Sequence, residues 1–219
     1  MKLSIVYEDP ELLILDKPYG LVTMGAKGEH SLYAVAQKYF KKGMLYVVHR
    51  LDKDTSGLVI FAKDRFTHKT LFDMFQKRKI KKRYHALVPH GVDSLFDQKN
   101  WKESDRPYLK LQGKKTLEIT LPIFGIKNKS RVDFNKGNSA HTLITIKEKM
   151  AQGTLLDIEP KTGRFHQIRC HLSYLGYSVQ GDTIYQGEAS SRLMLNSYYL
   201  SFYWKNKMKE IKISTKLIN

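Results

Sequence analysis

An α+β fold, with a mixed and largely antiparallel β-sheet flanked by helices, is what this 219-residue sequence predicts. Three observations carry that expectation. Short apolar runs bounded by Pro, Gly and Asp recur along the chain, as strands between turns do. A few stretches instead carry the 3.6-residue apolar period of helices. The two kinds interleave without strict βαβ alternation, which disfavours a doubly wound parallel sheet.

The elements follow in order. Residues 4–8 and 12–16 read as strands joined through Asp9-Pro10, and Lys17-Pro18-Tyr19-Gly20 ends the second as a turn. Ser31 can cap a helix in which Leu32, Val35, Ala36, Tyr39 and Phe40 fall on one face, stopping near Gly43. Residues 45–48 and 58–62 read as strands on either side of a polar, irregular stretch, 49–57. A helix is expected over 65–78, burying Phe66, Leu71, Phe72 and Phe75, followed by a strand at 84–88. Residues 90–115 are polar and aperiodic, with Pro107 and Gly113, and no core element is placed there. Strands are expected at 116–121, 141–147, 154–159, 193–204 and 209–214, and a helix at 164–175. No repeat or Gly/Ser linker divides the chain, so it reads as one domain over 1–219 with an excursion at about 92–140.

Composition narrows the function. Hydrophobic residues make up 42% of the chain, too many for a disordered basic tail. No apolar run approaches the roughly 18–20 residues that cross a bilayer, and the N-terminus turns acidic at Glu8-Asp9, unlike a signal peptide. The single cysteine, Cys170, cannot form an internal disulfide, which suits a reducing cytoplasm. The formal charge is +17, which predicts a polyanionic partner. Residues 63–83 hold nine Lys/Arg, Lys79, Lys81 and Lys82 among them, against Asp64 and Asp73. That block sits among aromatics and lacks the composition of a membrane-surface helix, so nucleic acid is favoured over a membrane.

Several chemistries lack their signatures. There is no phosphate-cradling glycine loop, no dinucleotide fingerprint and no nucleophile elbow. His166 and His171, five apart, lie about 140° apart around a helix, which gives no shared metal face. The segment 49–57 is different. It sets Asp52 between Arg50 and Lys53, with Thr55, Ser56 and Gly57 able to bend the backbone. An anion among cations can act as a nucleophile toward an electrophilic carbon. An ordinary turn with a local ion pair is the competing reading of this segment.

His49-Arg50-Leu51-Asp52-Lys53-Asp54-Thr55-Ser56-Gly57-Leu58 resembles the signature of the RluA-type RNA pseudouridine synthases at every fixed position. Three further stretches resemble that family in the same order. They are the opening motif from Tyr7 through Leu15-Asp16-Lys17-Pro18-Tyr19-Gly20-Leu21, the strand Lys82-Arg83-Tyr84-His85-Ala86-Leu87-Val88, and Thr162-Gly163-Arg164-Phe165-His166-Gln167-Ile168-Arg169-Cys170-His171-Leu172 with Leu175-Gly176 and Gly181-Asp182. Residues 92–140 match poorly.

The resemblance implies a synthase catalytic fold and an enzyme that isomerises uridine to pseudouridine in ribosomal or transfer RNA. It needs no metal or cofactor and no obligate protein partner, and is expected to be a monomer. By the family pattern Asp52 is the catalytic carboxylate, Tyr84 the tyrosine that stacks on uracil, and Arg169 the arginine paired with the aspartate. Arg50 is placed to enter the base stack when the uridine is extruded. Leu195 aligns with an apolar residue packed near the base. On the helical reading, Phe165, Ile168, Leu172 and Leu175 form one buried stripe with Arg169 at its edge, and His166 faces RNA or solvent. Phe165 stands where the family commonly has Thr or Ser, and Asn196 where a His often follows the Leu. The family often carries an S4-like RNA-binding domain before the catalytic motifs; none is expected here, so RNA affinity is assigned to the catalytic domain, with Lys79, Lys81 and Lys82 as contacts. The alternatives are a non-catalytic basic RNA-binding protein on a synthase scaffold, and a glycosidase acting on RNA. The latter needs paired carboxyls, and Asp54 is a poor proton donor in a cation-rich loop.

Overall fold

The structure, a computed structural model, describes residues 3–26, 30–113, 115–214 and 217. The chain forms two compact units, one running to Lys82 and resuming at Asn196, the other taking in Arg83–Leu195. The sheet is mixed and mostly antiparallel. Among the described residues no helix is long and apolar enough to cross a membrane.

The first unit is built on β4 (Ser56–Ala62), buried along its whole length. β1 (Ile5–Glu8) and β2 (Leu12–Lys17) form a hairpin whose turn is fixed by Asp9, its carboxylate accepting the Glu11 and Leu12 N–H groups. β2 pairs antiparallel with β4, and β3 (Tyr46–Val47) pairs with Phe61 and Ala62. β12 (Leu195–Trp204) meets Ser56 and Gly57 in parallel and carries β13 (Lys207–Lys212) antiparallel. That parallel contact explains the Gly in the motif. Gly57 has φ +114, and a Cβ there would stand 2.2 Å from the Ser197 carbonyl oxygen.

Two helices belong to this unit. α1 (Leu32–Tyr39) starts at Ser31, whose side chain accepts the Ala34 N–H. It ends short of Gly43 because Gln37 organises the following loop, donating to the Phe40 and Gly43 carbonyls and accepting the Leu45 N–H. α2 (Arg65–Gln76) is capped by Asp64, which binds both the N–H and the hydroxyl of Thr67. Its inner stripe is Thr67, Leu71, Met74 and Phe75, and Leu71 joins Leu12, Ile14, Leu58, Ile60 and Phe202 in the core. Withdrawing each such side chain from water contributes about 1.5–3 kcal/mol. Phe66 and Phe72, expected inside, face outward; Phe66 is 79% exposed. They lie about 140° and 100° around the helix from Leu71, off the stripe.

The second unit is an antiparallel series. β5 (Lys81–Val88), which begins in the first unit, pairs with β11 (Gly153–Pro160), β11 with β10 (Thr142–Met150), β10 with β7 (Thr116–Ile119), and β7 with β6 (Leu109–Gln112). A separate hairpin, β8 (Ile123–Ile126) and β9 (Lys129–Val132), and a helix, α3 (Gln167–Tyr174), complete it. Residues 90–115, expected to hold no core element, contribute three 3₁₀ turns and β6, burying Val92, Leu95, Trp101 and Leu109. Short 3₁₀ turns leave no 3.6-residue period in the sequence, which is why the apolar spacing gave no signal.

Candidate active site

In the first unit the loop that carries Asp52 is pinned on both sides of it. The buried Thr23 hydroxyl donates to the Leu51 carbonyl at 2.9 Å and accepts the Leu51 N–H at 3.1 Å. After Asp52, the Lys53 carbonyl accepts from Lys17 Nζ at 2.8 Å. Lys17 is fully buried and also donates to the Pro18 and Leu21 carbonyls, at 3.0 and 2.6 Å. Burial pulls this ammonium down to about 8, against the opposing charges of Asp54, Asp52 and Asp16. At neutral pH Lys17 is thus a cation set among three carboxylates and three carbonyls. The turn closes through the Thr55 N–H, which donates to the Asp52 carbonyl at 3.2 Å. Asp52 itself is half-buried and Arg50 is exposed.

The motif histidine has a scaffolding task. His49 Nε2 accepts the Ile60 N–H at 3.1 Å, and its ring lies 4.6 Å from that of Phe75. Burial, helped by the charge of Lys82, pulls His49 down to about 3, so it stays neutral. Lys82 Nζ sits 5.8 Å over the Phe75 ring, and burial lowers it as well. The three lysines expected on RNA therefore differ. Lys79 and Lys81 are exposed, whereas Lys82 is drawn in against Phe75.

In the second unit Tyr84 is buried on β5 opposite Ile158, and Leu195 is buried at the start of β12. α3 presents two faces. On one, Gln167 accepts from the Thr162 hydroxyl and donates to the His141 carbonyl and the Thr142 hydroxyl oxygen. One turn on, His171 joins Thr142 at 3.0 Å and the Leu121 carbonyl at 2.9 Å, and burial pulls it down to about 4. These neutral bonds fix the helix to β10. On the other face Arg169 makes a two-pronged ion pair with Asp182, Nε to Oδ2 at 2.6 Å and Nη2 to Oδ1 at 2.7 Å. Its Nη1 donates to His166 Nε2 at 3.0 Å. Asp182 Oδ1 accepts the Ile184 and Tyr185 N–H groups too.

The helical reading of 164–175 misplaced two side chains. Phe165, expected in a buried stripe, is 44% exposed, and His166, expected to face RNA or solvent, is buried beside Arg169. The cause is local. α3 begins only at Gln167, and His166 precedes it at φ +53, so helical periodicity does not reach either residue. The sequence assigns no role to Lys17, Thr23, Asp182 or Tyr185. Lys17 and Asp182 do stand inside the matched motifs, which was the available signal; Thr23 and Tyr185 carried none. Among the described residues, no group of three or more His, Cys, Asp or Glu side chains could hold a metal ion.

Comparison with known proteins identifies the family. Residues 11–174 match the family model described as RNA pseudouridylate synthase. The chain is 38% identical over 188 residues to ribosomal large subunit pseudouridine synthase C of Buchnera aphidicola (from Acyrthosiphon pisum), covering 83% of this chain and 53% of that one. It is 34% identical to the protein of the same name from the Baizongia pistaciae strain of that organism, covering 97% and 66%. It thus spans about half to two-thirds of the length of these relatives. The solved structure of human RNA pseudouridylate synthase domain containing 1 shares the fold, with TM-score 0.74 and 22% identity over 97% of this chain and 83% of that one. With three-quarters of its length under the family model and relatives this similar, the chain belongs to the RNA pseudouridylate synthase family.

Proposed function

We propose that this chain isomerises a specific uridine to pseudouridine in structured RNA, with Asp52 as the catalytic carboxylate. The single observation that carries the reading is the double pinning of Asp52. An aspartate whose neighbours on both sides are bonded to fully or nearly fully buried side chains is a pre-organised group rather than a solvated turn. In the reaction the C1′–N1 bond breaks, the base turns, and C1′ bonds to C5, whose proton leaves to water while N1 gains one. Asp52 acts at the ribose, Tyr84 stacks on the uracil, and Arg169 supplies the motif guanidinium that the resemblance pairs with the carboxylate. Arg50 enters the stack left by the extruded nucleotide, while Leu195 packs near the base. The names of these relatives point to ribosomal RNA, and transfer RNA is the second substrate class. The enzyme works in the cytoplasm as a monomer, with residues 1–219 as one catalytic domain and no obligate protein partner or cofactor.

The test is tritium release from RNA carrying 5-tritiated uridine, followed by carbodiimide primer-extension mapping in cells with and without the protein. Release without free uracil is expected. Free uracil would identify a glycosidase, and RNA binding without release would leave only an RNA-binding protein.

The lysine run gives a graded prediction. Each phosphate neutralised by a lysine adds about 0.7 to the slope of log affinity against log salt for single strands. Lys79→Gln with Lys81→Gln is expected to flatten the slope by about 1.4. Adding Lys82→Gln should change it little, because that ammonium faces Phe75. Fluorescence anisotropy of labelled RNA across a salt series reads the outcome.

A further inference from the structure

The loop that bears Asp52 is also fastened at its exit. Ser56 opens β4, and its hydroxyl oxygen accepts from Asn196 Nδ2 at 2.8 Å. Both side chains are buried, Ser56 at 6% and Asn196 at 4% exposure. Asn196 lies on β12 in register with Ser56, across the parallel contact. The backbone at that contact is locked independently of the side chains. Gly57 pairs with Ser197, and a Cβ on Gly57 would stand 2.6 Å from the Ser197 nitrogen. The strands abut at a distance that only glycine allows, which fixes where the Asn196 amide meets Ser56. The next residue back, Thr55, donates its N–H to the Asp52 carbonyl. From Asn196 to Asp52 the path is therefore one hydrogen bond, one peptide link and one more hydrogen bond.

This junction is polar at a cost to stability. Asn196 Oδ1, Thr55 Oγ1 and Ser197 Oγ are buried, and none has a hydrogen-bond partner among the described residues. Buried polar atoms left without partners destabilise a fold, and apolar side chains at these positions would avoid the cost. Packing thus gives no reason for an amide at 196, whereas a directed bond to Ser56 does. Asn196 also stands where the RluA-type pattern often has a histidine, so this amide bond is not something the motif resemblance supplies.

We propose that Asn196 is a positioning residue, holding the exit of the Asp52 loop through Ser56. This rests on the reading of Asp52 as the catalytic carboxylate. Thr23 and Lys17 hold the residues on either side of Asp52, and Asn196 holds the end of the turn that the Asp52 carbonyl closes. Asn196 touches no substrate. It narrows the range of positions that the carboxylate can take, and small misplacements of a reacting group slow the chemical step far more than they weaken binding.

Four measurements on Asn196→Ala, Ser56→Ala and the double variant test this: single-turnover tritium release, RNA anisotropy, thermal melting, and amide hydrogen exchange over residues 50–57. Each single variant is expected to slow release about tenfold while RNA affinity stays within about twofold. Exchange of the Thr55 N–H should quicken about tenfold, with α2 exchanging as in the parent protein. The double variant should also lose about tenfold rather than a hundredfold, because both substitutions break one bond. Ile211→Val, which trims a buried side chain of β13 in the same unit, is the control. It should lower the melting temperature and leave both release and exchange over 50–57 at parent values. A purely structural Asn196 would behave like that control. Parent-like release and exchange in both single variants, or losses that multiply in the double variant, overturn the proposal while the isomerase reading stands. Absence of tritium release from the parent protein overturns the isomerase reading instead, and exchange over 50–57 then decides by itself whether Asn196 holds the loop.

Discussion

Asp52→Ala is expected to lower the rate of tritium release from uridine-labelled RNA by at least about 10⁴-fold, roughly 5.5 kcal/mol of barrier, with RNA affinity within about threefold. The separation follows from where the residue sits. The backbone bond that closes its turn uses the Asp52 carbonyl, which the substitution keeps. The neighbours remain tied to Thr23 and Lys17, and Lys17 keeps Asp54 and Asp16 as opposing charges. The loop should therefore hold its shape, with stability changed by no more than about 2 kcal/mol. Asp52→Asn sharpens the test, since it preserves volume and removes only the anion. Comparable loss in both variants assigns the effect to charge. Turnover retained in Asp52→Ala would reject the carboxylate as the group that acts on the ribose.

What the sequence could disclose depends on how each residue earns its place. β2, β4 and α1 were legible because an apolar run ends at a turn former, or because Ser31 caps a periodic helix. Asp52 stands out in the sequence because a ten-residue motif surrounds it. Lys17 was not, since a lysine reads as surface wherever it stands and only the fold supplies three converging carbonyls. The tie between Ser130 and Tyr185 spans 55 positions, and no local pattern announces such a bond. Phe66 shows the opposite error, because an aromatic residue on a helix invites burial and this one lies off the inner stripe. Exposure of Phe66 and Phe72 puts both on the solvent face of that helix.

Arg169 and Asp182 should rank next in effect, and here stability and catalysis can be pulled apart. The side chains are 3% and 0% exposed, and the pair is bonded through two prongs. Removing one partner of a buried pair leaves an uncompensated charge, typically worth 3–5 kcal/mol. Arg169→Met alone is thus expected to lower the melting temperature by about 10 °C, with Asp182→Asn alone nearly as damaging. Combining them removes both charges while the asparagine oxygen still accepts the Ile184 and Tyr185 N–H groups. The double variant should recover all but about 1 kcal/mol of the loss, because neutral replacement of a buried pair avoids its desolvation cost. If Arg169 serves only the fold, tritium release should return with the melting temperature. The proposed role demands the reverse: a protein that melts near the parent temperature, binds RNA, and isomerises at least about a hundredfold more slowly, roughly 2.7 kcal/mol of lost transition-state stabilisation. Thermal melting, anisotropy and tritium release on the same three variants give the answer, and recovered turnover in the double variant would confine Arg169 to holding Asp182.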